Sequence, residues 1–387
     1  MTDNVLTSLA SDVYRAADLV GRELAGFISG ATINGGAEGA AMGEVIRSSV
    51  TPTATSTPTV PSNVSPNTGD QTIGQKSMTI SKSKNVPILW NGEQKAEVGN
   101  SYGYETVYGK QIAQAMRALV NEMEADVALE AAMNCGTGLA VSGTSIFDTD
   151  LKDAAFARKL LVDNGAPAYD GQISLVTDTT GGANLRSLNN NVNEYGGDDV
   201  ARRGIILPQN GVNIRESQQI AQRTGGTADS ATLTAADYAV GDTVLTLASA
   251  GTGTILAGDF IAIAGHPYIY QVASGDAAMA DGVTITLNTG LLQAITADSS
   301  AITVLSVGAA YTQSTIFHRD ALELCVRAPK GAESDMATDR MTIVDPMSGL
   351  PFELSVYPQY RQTHIEVAAA WGFKAWKPEF IGGVIGA

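Results

Sequence analysis

Between Arg223 and Arg319 the chain carries no lysine or arginine, although the whole sequence holds 24. The same stretch contains seven aspartates: Asp229, Asp237, Asp242, Asp259, Asp276, Asp281 and Asp298. A break in composition this sharp marks a separate module set into a longer body. Inside it, short β-patterned runs at 243–247, 260–264, 268–272, 283–287 and 302–307 alternate with turn signals. That spacing predicts a small antiparallel barrel.

The flanking body reads as mixed α and β. Leu9, Val13, Ala16, Ala17, Val20, Leu24 and Phe27 recur at helical spacing among charged residues, predicting an amphipathic N-terminal helix that Gly30 ends. Residues 35–74 are crowded with Gly, Thr, Ser and Pro and cannot build a core of their own. From 77 to 90 the alternation of Met78 and Ile80, then Val86, Ile88 and Trp90, predicts a hairpin with one buried face. Lys76, Lys82, Lys84 and Lys95 give it the densest positive charge in the chain.

Next, Ile112, Met116, Leu119, Met123, Val127 and Ala131 predict a long helix from Tyr104 to Asn134. At 1.5 Å per residue it spans roughly 45 Å. A second helix is expected from an N-cap at Asp148 to the stop at Asn164-Gly165, then a strand at 173–177 and a short helix capped by Asp178. The alternating runs near 315–326 and 350–376 should complete the body's sheet.

These features exclude more functions than they suggest. The formal net charge of −16 disfavours electrostatic capture of nucleic acid. Cys135 and Cys325 form no CxxC pair and read as two buried thiols in a reducing cytoplasm. His266, His318 and His364 show no ligand spacing, so no metal or other cofactor is expected. His318-Arg319-Asp320 spells the start of a kinase catalytic loop, but Cys325 stands where a magnesium-binding Asn is required, which leaves a structural turn before a strand. Gly251 and Gly253 begin a dinucleotide fingerprint that ends in Leu256 rather than glycine, and a surface turn is the better reading. No catalytic constellation stands out, and neither a signal peptide nor a membrane span is expected.

The order of arm, extended Gly/Pro/Thr-rich loop, hairpin and long helix resembles the N-arm, E-loop and spine helix of HK97-like major capsid proteins of tailed phages. The charge-poor insertion and the C-terminal stretch around Trp371-Gly372-Phe373-Lys374-Ala375-Trp376 bring P22-type coat proteins nearer still. Asn121-Glu122-Met123-Glu124-Ala125-Asp126, Phe317-His318-Arg319-Asp320-Ala321 and Asp345-Pro346-Met347-Ser348-Gly349-Leu350 add to the likeness. The resemblance implies an α+β chain divided into an arm (1–34), an E-loop with hairpin (35–103), a spine helix with the first parts of the P- and A-domains (104–225), an inserted barrel (226–307) and completing strands (308–387). It implies a non-catalytic coat subunit forming hexamers and pentamers of an icosahedral shell around double-stranded DNA. Such a shell is built in the host cytoplasm with a scaffolding protein and a portal.

Contacts between subunits are expected at Lys76, Lys82, Lys84 and Trp90, and at Asp276 and Asp281 of the insertion. Because the insertion has no cations, its acids must reach body cations such as Arg202, Arg203, Arg319 or the Lys76 to Lys84 hairpin. Isopeptide cross-links are not expected. A secreted surface-layer β protein is the alternative; it lacks a secretion signal and leaves the long helices unexplained.

Overall fold

The run of apolar residues at helical spacing forms one helix, Tyr104–Met133. Its stripe of Ile112, Met116, Leu119, Met123, Val127 and Ala131 is buried, as the spacing predicts. In this computed structural model, residues 23–36, 39–50, 58–59, 61, 73–99, 104–143, 145–191, 211–248, 251–275, 283–296, 300–331, 336–345 and 348–386 are described. Most of the expected N-terminal helix lies outside them; its end is a short helix at Gly26–Gly30.

The long helix lies on a six-stranded sheet. In chain order its strands are β1 (Thr32–Gly35), β4 (Lys82–Asn91), β17 (Leu322–Arg327), β18 (Asp339–Val344), β19 (Pro351–Gln359) and β20 (Gln362–Ala375). The 14-residue β20 runs through the middle, pairing with β17, β19 and β4. Its alternate residues Ile365, Val367, Ala369 and Trp371 pack with Ile88, Trp90, Leu354 and Phe352 against the helix stripe.

The hairpin expected at 77–90 does not form as such. Its two strands exist, but β3 (Gly74–Thr79) pairs with β2 (Val45–Val50) in a separate ribbon while β4 joins β20 in the body. Ile80 turns the chain from one to the other, bonded through Ile80 N to Glu44 O and Gly43 N to Ile80 O.

A second sheet starts with β7 (Asn213–Glu216), β6 (Ile173–Thr177), β16 (Ser314–His318), β21 (Ile381–Gly386) and β5 (Thr137–Val141). Helices Lys152–Asp163 and Thr179–Asn191 bury Ala154, Ala157, Leu161 and Leu185 in a cluster with Leu175, Ile316 and Val384 from its strands. Asp178 caps the second helix as expected, accepting from Gly181 N at 3.0 Å. Asp148 does not cap the first. Leu151 occupies that position, and Asp153 folds back to accept from Phe147 N at 2.9 Å. The first-turn donor Lys152 N is instead met by Asp150 Oδ1 at 3.1 Å.

The cation-poor stretch forms β9 (Ala231–Thr232), β10 (Val244–Thr246), β11 (Phe260–Ile263), β12 (Ile269–Ser274), β13 (Thr284–Leu287) and β14 (Ala301–Val304). They pair in the order β9, β14, β11, β12, β13, β10, all antiparallel, and the Leu233–Leu247 bridge joins the two ends. The result is a closed barrel around its own cluster of Leu233, Leu245, Ile261, Tyr270, Val272, Ile285 and Ile302. The chain enters and leaves it through a two-stranded neck, β8 (Gln222–Thr224) against β15 (Ala310–Thr312). The barrel is also fused to the body, because β12 pairs with β5.

Candidate subunit-contact surfaces

Of the lysines expected at subunit contacts, three are engaged within the chain. Glu122 and Asp126, one turn apart on the long helix, face the edge strand β4. Lys82 Nζ lies 2.9 Å from Glu122 Oε1 and 2.8 Å from Asp126 Oδ1, and Lys84 Nζ lies 2.6 Å from the same Glu122 oxygen. Trp371 Nε1 donates to Asp126 Oδ2 at 2.9 Å, and Lys82 Nζ sits 5.9 Å above the Trp371 ring. Burial works to raise the Glu122 pKa, but the hydrogen bonds from Lys84 and Lys82 overcome it and leave the group below its ordinary value. For Lys82, burial works downward and the bonds from Asp126 and Glu122 win, raising it. Lys76 Nζ donates to Trp376 O. Trp90 is buried between β4 and the helix, where its Nε1 donates to Gln111 Oε1 at 2.7 Å. These residues bind helix, sheet and ribbon together. Arg202, Arg203, Asp276 and Asp281 lie outside the described residues.

The opposite flank of the helix holds the N-terminal segment. Glu124 is 1 % exposed and accepts from Phe27 N at 2.8 Å and Ile28 N at 2.9 Å. Burial raises its pKa against the pull of those backbone donors. Arg117 Nε donates to Glu23 Oε2 at 2.6 Å, and this pairing holds the Glu23 carboxyl at about 2. Phe27 stacks on Phe317 at 5.8 Å, and β1 runs parallel to β17. Sequence reading selected neither Glu124 nor Glu23. The available signal was an acid set among apolar neighbours on the buried helix face.

The β2–β3 ribbon is only partly covered by its own chain. Met78 is buried and Ile46 packs against Cys325 and Trp376 at its base, whereas Met42, Val45 and Ile73 are largely exposed. A two-stranded ribbon with this little cover is marginal in water.

The kinase-like triplet is a turn. His318 is buried, its Nε2 2.8 Å from Asp170 Oδ2, and its Nδ1 accepts from Asp320 N at 3.3 Å, which places the ring proton on Nε2. Cys135 and Cys325 are buried and free. Among the described residues no group of His, Cys, Asp or Glu is arranged to hold a metal, and no helix is long and apolar enough to cross a membrane.

No protein-family model and no curated protein matches the sequence. Among solved structures, the capsid of cyanophage P-SCSP1u aligns over 100 % of this chain and 92 % of its own, at 14 % identity and a TM-score of 0.51. This is a phage-capsid fold. The HK97-like architecture expected from the sequence is therefore the one observed. A Mycobacterium phage Che8 structure aligns over 95 % of this chain and 90 % of its own, at 15 % identity and a TM-score of 0.46. A virus-like particle from Pyrococcus furiosus covers 97 % of each chain at 11 % identity and a TM-score of 0.43. The fold assignment rests on the cyanophage capsid.

Proposed function

We propose that the chain is the major capsid subunit of a tailed phage, self-assembling into hexamers and pentamers that close an icosahedral shell around double-stranded DNA. The observation that carries this reading is the alignment with a phage capsid along the entire chain. The half-covered ribbon agrees with it, since a neighbouring copy would supply the missing packing. Residues 1–34 then act as an arm, 35–103 as the extended loop, 104–225 and 308–387 as the body, and 226–307 as an insertion reaching between capsomers. The role is structural, without catalysis. A scaffolding protein guides assembly in the host cytoplasm, a portal admits DNA, and the acidic subunit encloses the polyanion without reading its sequence.

The test is to express the chain with its neighbouring gene products and examine it by sedimentation and negative-stain microscopy. Closed shells are expected; a chain that stays monomeric beside those partners overturns the reading.

A further inference from the structure

The last four carbonyls of a helix find no donor within it and must be met from outside. In the long helix, side chains meet all four. Asn134 Nδ2 donates to Glu130 O at 2.8 Å and the Cys135 thiol to Ala131 O at 3.2 Å. Gln271 Nε2 and Gln313 Nε2 converge on Ala132 O at 2.7 and 3.2 Å, and Asn288 Nδ2 reaches Met133 O at 2.9 Å. No basic residue stands in the helix's last turn. Three of these donors are neutral amides from far along the chain. Gln271 lies in β12, Asn288 directly after β13, and Gln313 between β15 and β16.

The same amides grip the chain just beyond the helix. Gln271 Oε1 accepts from Cys135 N at 2.7 Å and from Asn288 Nδ2 at 2.8 Å, while Asn288 Nδ2 also reaches Cys135 O at 3.1 Å. Thr289 Oγ1 adds a bond to Gly136 O at 3.0 Å. Cys135 N can only donate and Ala132 O only accept, so the Gln271 amide has one permitted orientation. Gln271 is fully buried, and its Nε2 completes its bonding at Gly258 O, 3.1 Å away. A buried amide satisfied in this way, as Gln271 is, rigidifies the elements it joins.

From this we infer that the barrel clamps the C-terminal end of the long helix through Gln271 and Asn288, beside Gln313 of the body, so that barrel and helix end move as one body. The clamp is uncharged. It differs in this from the ionic contact on the helix flank, where Lys82 and Lys84 meet Glu122 and Asp126 at partly exposed side chains that salt screens. The inference concerns the single chain and does not depend on what it assembles into.

Cys135 is a built-in probe, buried within the clamp. The chain has two cysteines, so Cys325→Ala leaves Cys135 alone to report. In that full-length background, alkylation of Cys135 by iodoacetamide under native conditions is predicted to accelerate about tenfold in Asn288→Ala, the worth of one or two net hydrogen bonds. Asn288→Asp, which cannot donate and sets an anion at the negative end of the helix, is predicted to label faster still. Ile302→Val thins the barrel core away from the junction and is expected to label near the parent rate. The clamp is overturned by a parent-like rate in Asn288→Ala, by equal acceleration in Ile302→Val, or by Asn288→Asp labelling no faster than the parent. Hydrogen exchange across residues 128–136 supplies an independent reading of the same order of variants.

Discussion

Among the contacts that attach the N-terminal segment, Glu124 is the one that answers buried backbone donors with a side chain. Its carboxylate is the acceptor for two buried backbone donors, Phe27 N and Ile28 N, and a buried donor left without an acceptor costs about 1–3 kcal/mol. Glu124→Ala is therefore expected to lower stability by about 2–4 kcal/mol, less whatever is recovered by no longer burying a carboxylate. Glu124→Gln keeps one acceptor oxygen but turns its amide protons toward the other donor, and should cost about 1–2 kcal/mol. Denaturant unfolding of the two variants checks both values; an Ala variant as stable as the wild type would refute the assignment. At this scale the sequence was partly legible. The charge density of Lys82 and Lys84 was visible, but their partners were not, because Glu122 and Asp126 lie 40 and 44 residues away from Lys82 and proximity across such a gap is set by the fold. Glu124 stood in plain view, without a spacing rule to say that backbone amides would come to meet it.

Among elements, those whose own pattern encodes them were recovered. The long helix, the strand at 173–177 and the barrel strands each carry a periodicity or a turn signal. What misled was partnership. Alternation at 78–90 records which face is buried, not which strand lies alongside, and the two halves of the expected hairpin belong to different sheets. The two-residue β9 is too short to carry any period. Gln271, Asn288 and Gln313 belong to no motif and escaped notice for that reason. The ribbon supports a prediction of its own. With Val45 and Ile73 exposed, the amides of Val45–Val50 and Gly74–Thr79 should exchange readily in free subunits and slow by on the order of tenfold or more on assembly. Exchange that is identical in subunits and shells would rule out a neighbour covering the ribbon.

For the molecule as a whole, the structure refines the charge picture. The chain holds 40 acids against 24 Lys and Arg, yet the acids of the long helix that face the sheet are answered by lysines of the same chain. Within the barrel, Asp259 is buried and accepts from Leu256 N at 2.7 Å and Gly226 N at 3.1 Å, while Asp242 accepts from Ala239 N at 2.7 Å. Those two serve local geometry, which leaves fewer than seven aspartates for outward contact. We propose that Asp276 and Asp281 are among them and meet cations such as Arg202 and Arg203 of another subunit. Asp276→Lys with Asp281→Lys should leave the subunit folded but lower the temperature at which shells dissociate. Shells of unchanged stability would sink that contact.

The neck has a consequence for how such a molecule can change over time. Because β8 and β15 lie side by side, the chain leaves the barrel next to where it entered, the geometry that makes a segment easy to lose or exchange without disturbing the rest. The barrel is nevertheless not an ornament that can be traded freely. Any replacement grafted onto that neck inherits a helix whose last carbonyl, Met133 O, and following Cys135 N–H expect amide partners, and a graft that brings none leaves them unmet at the end of the body's longest element. Tolerance at the neck and obligation at the helix end together constrain which modules this scaffold accepts.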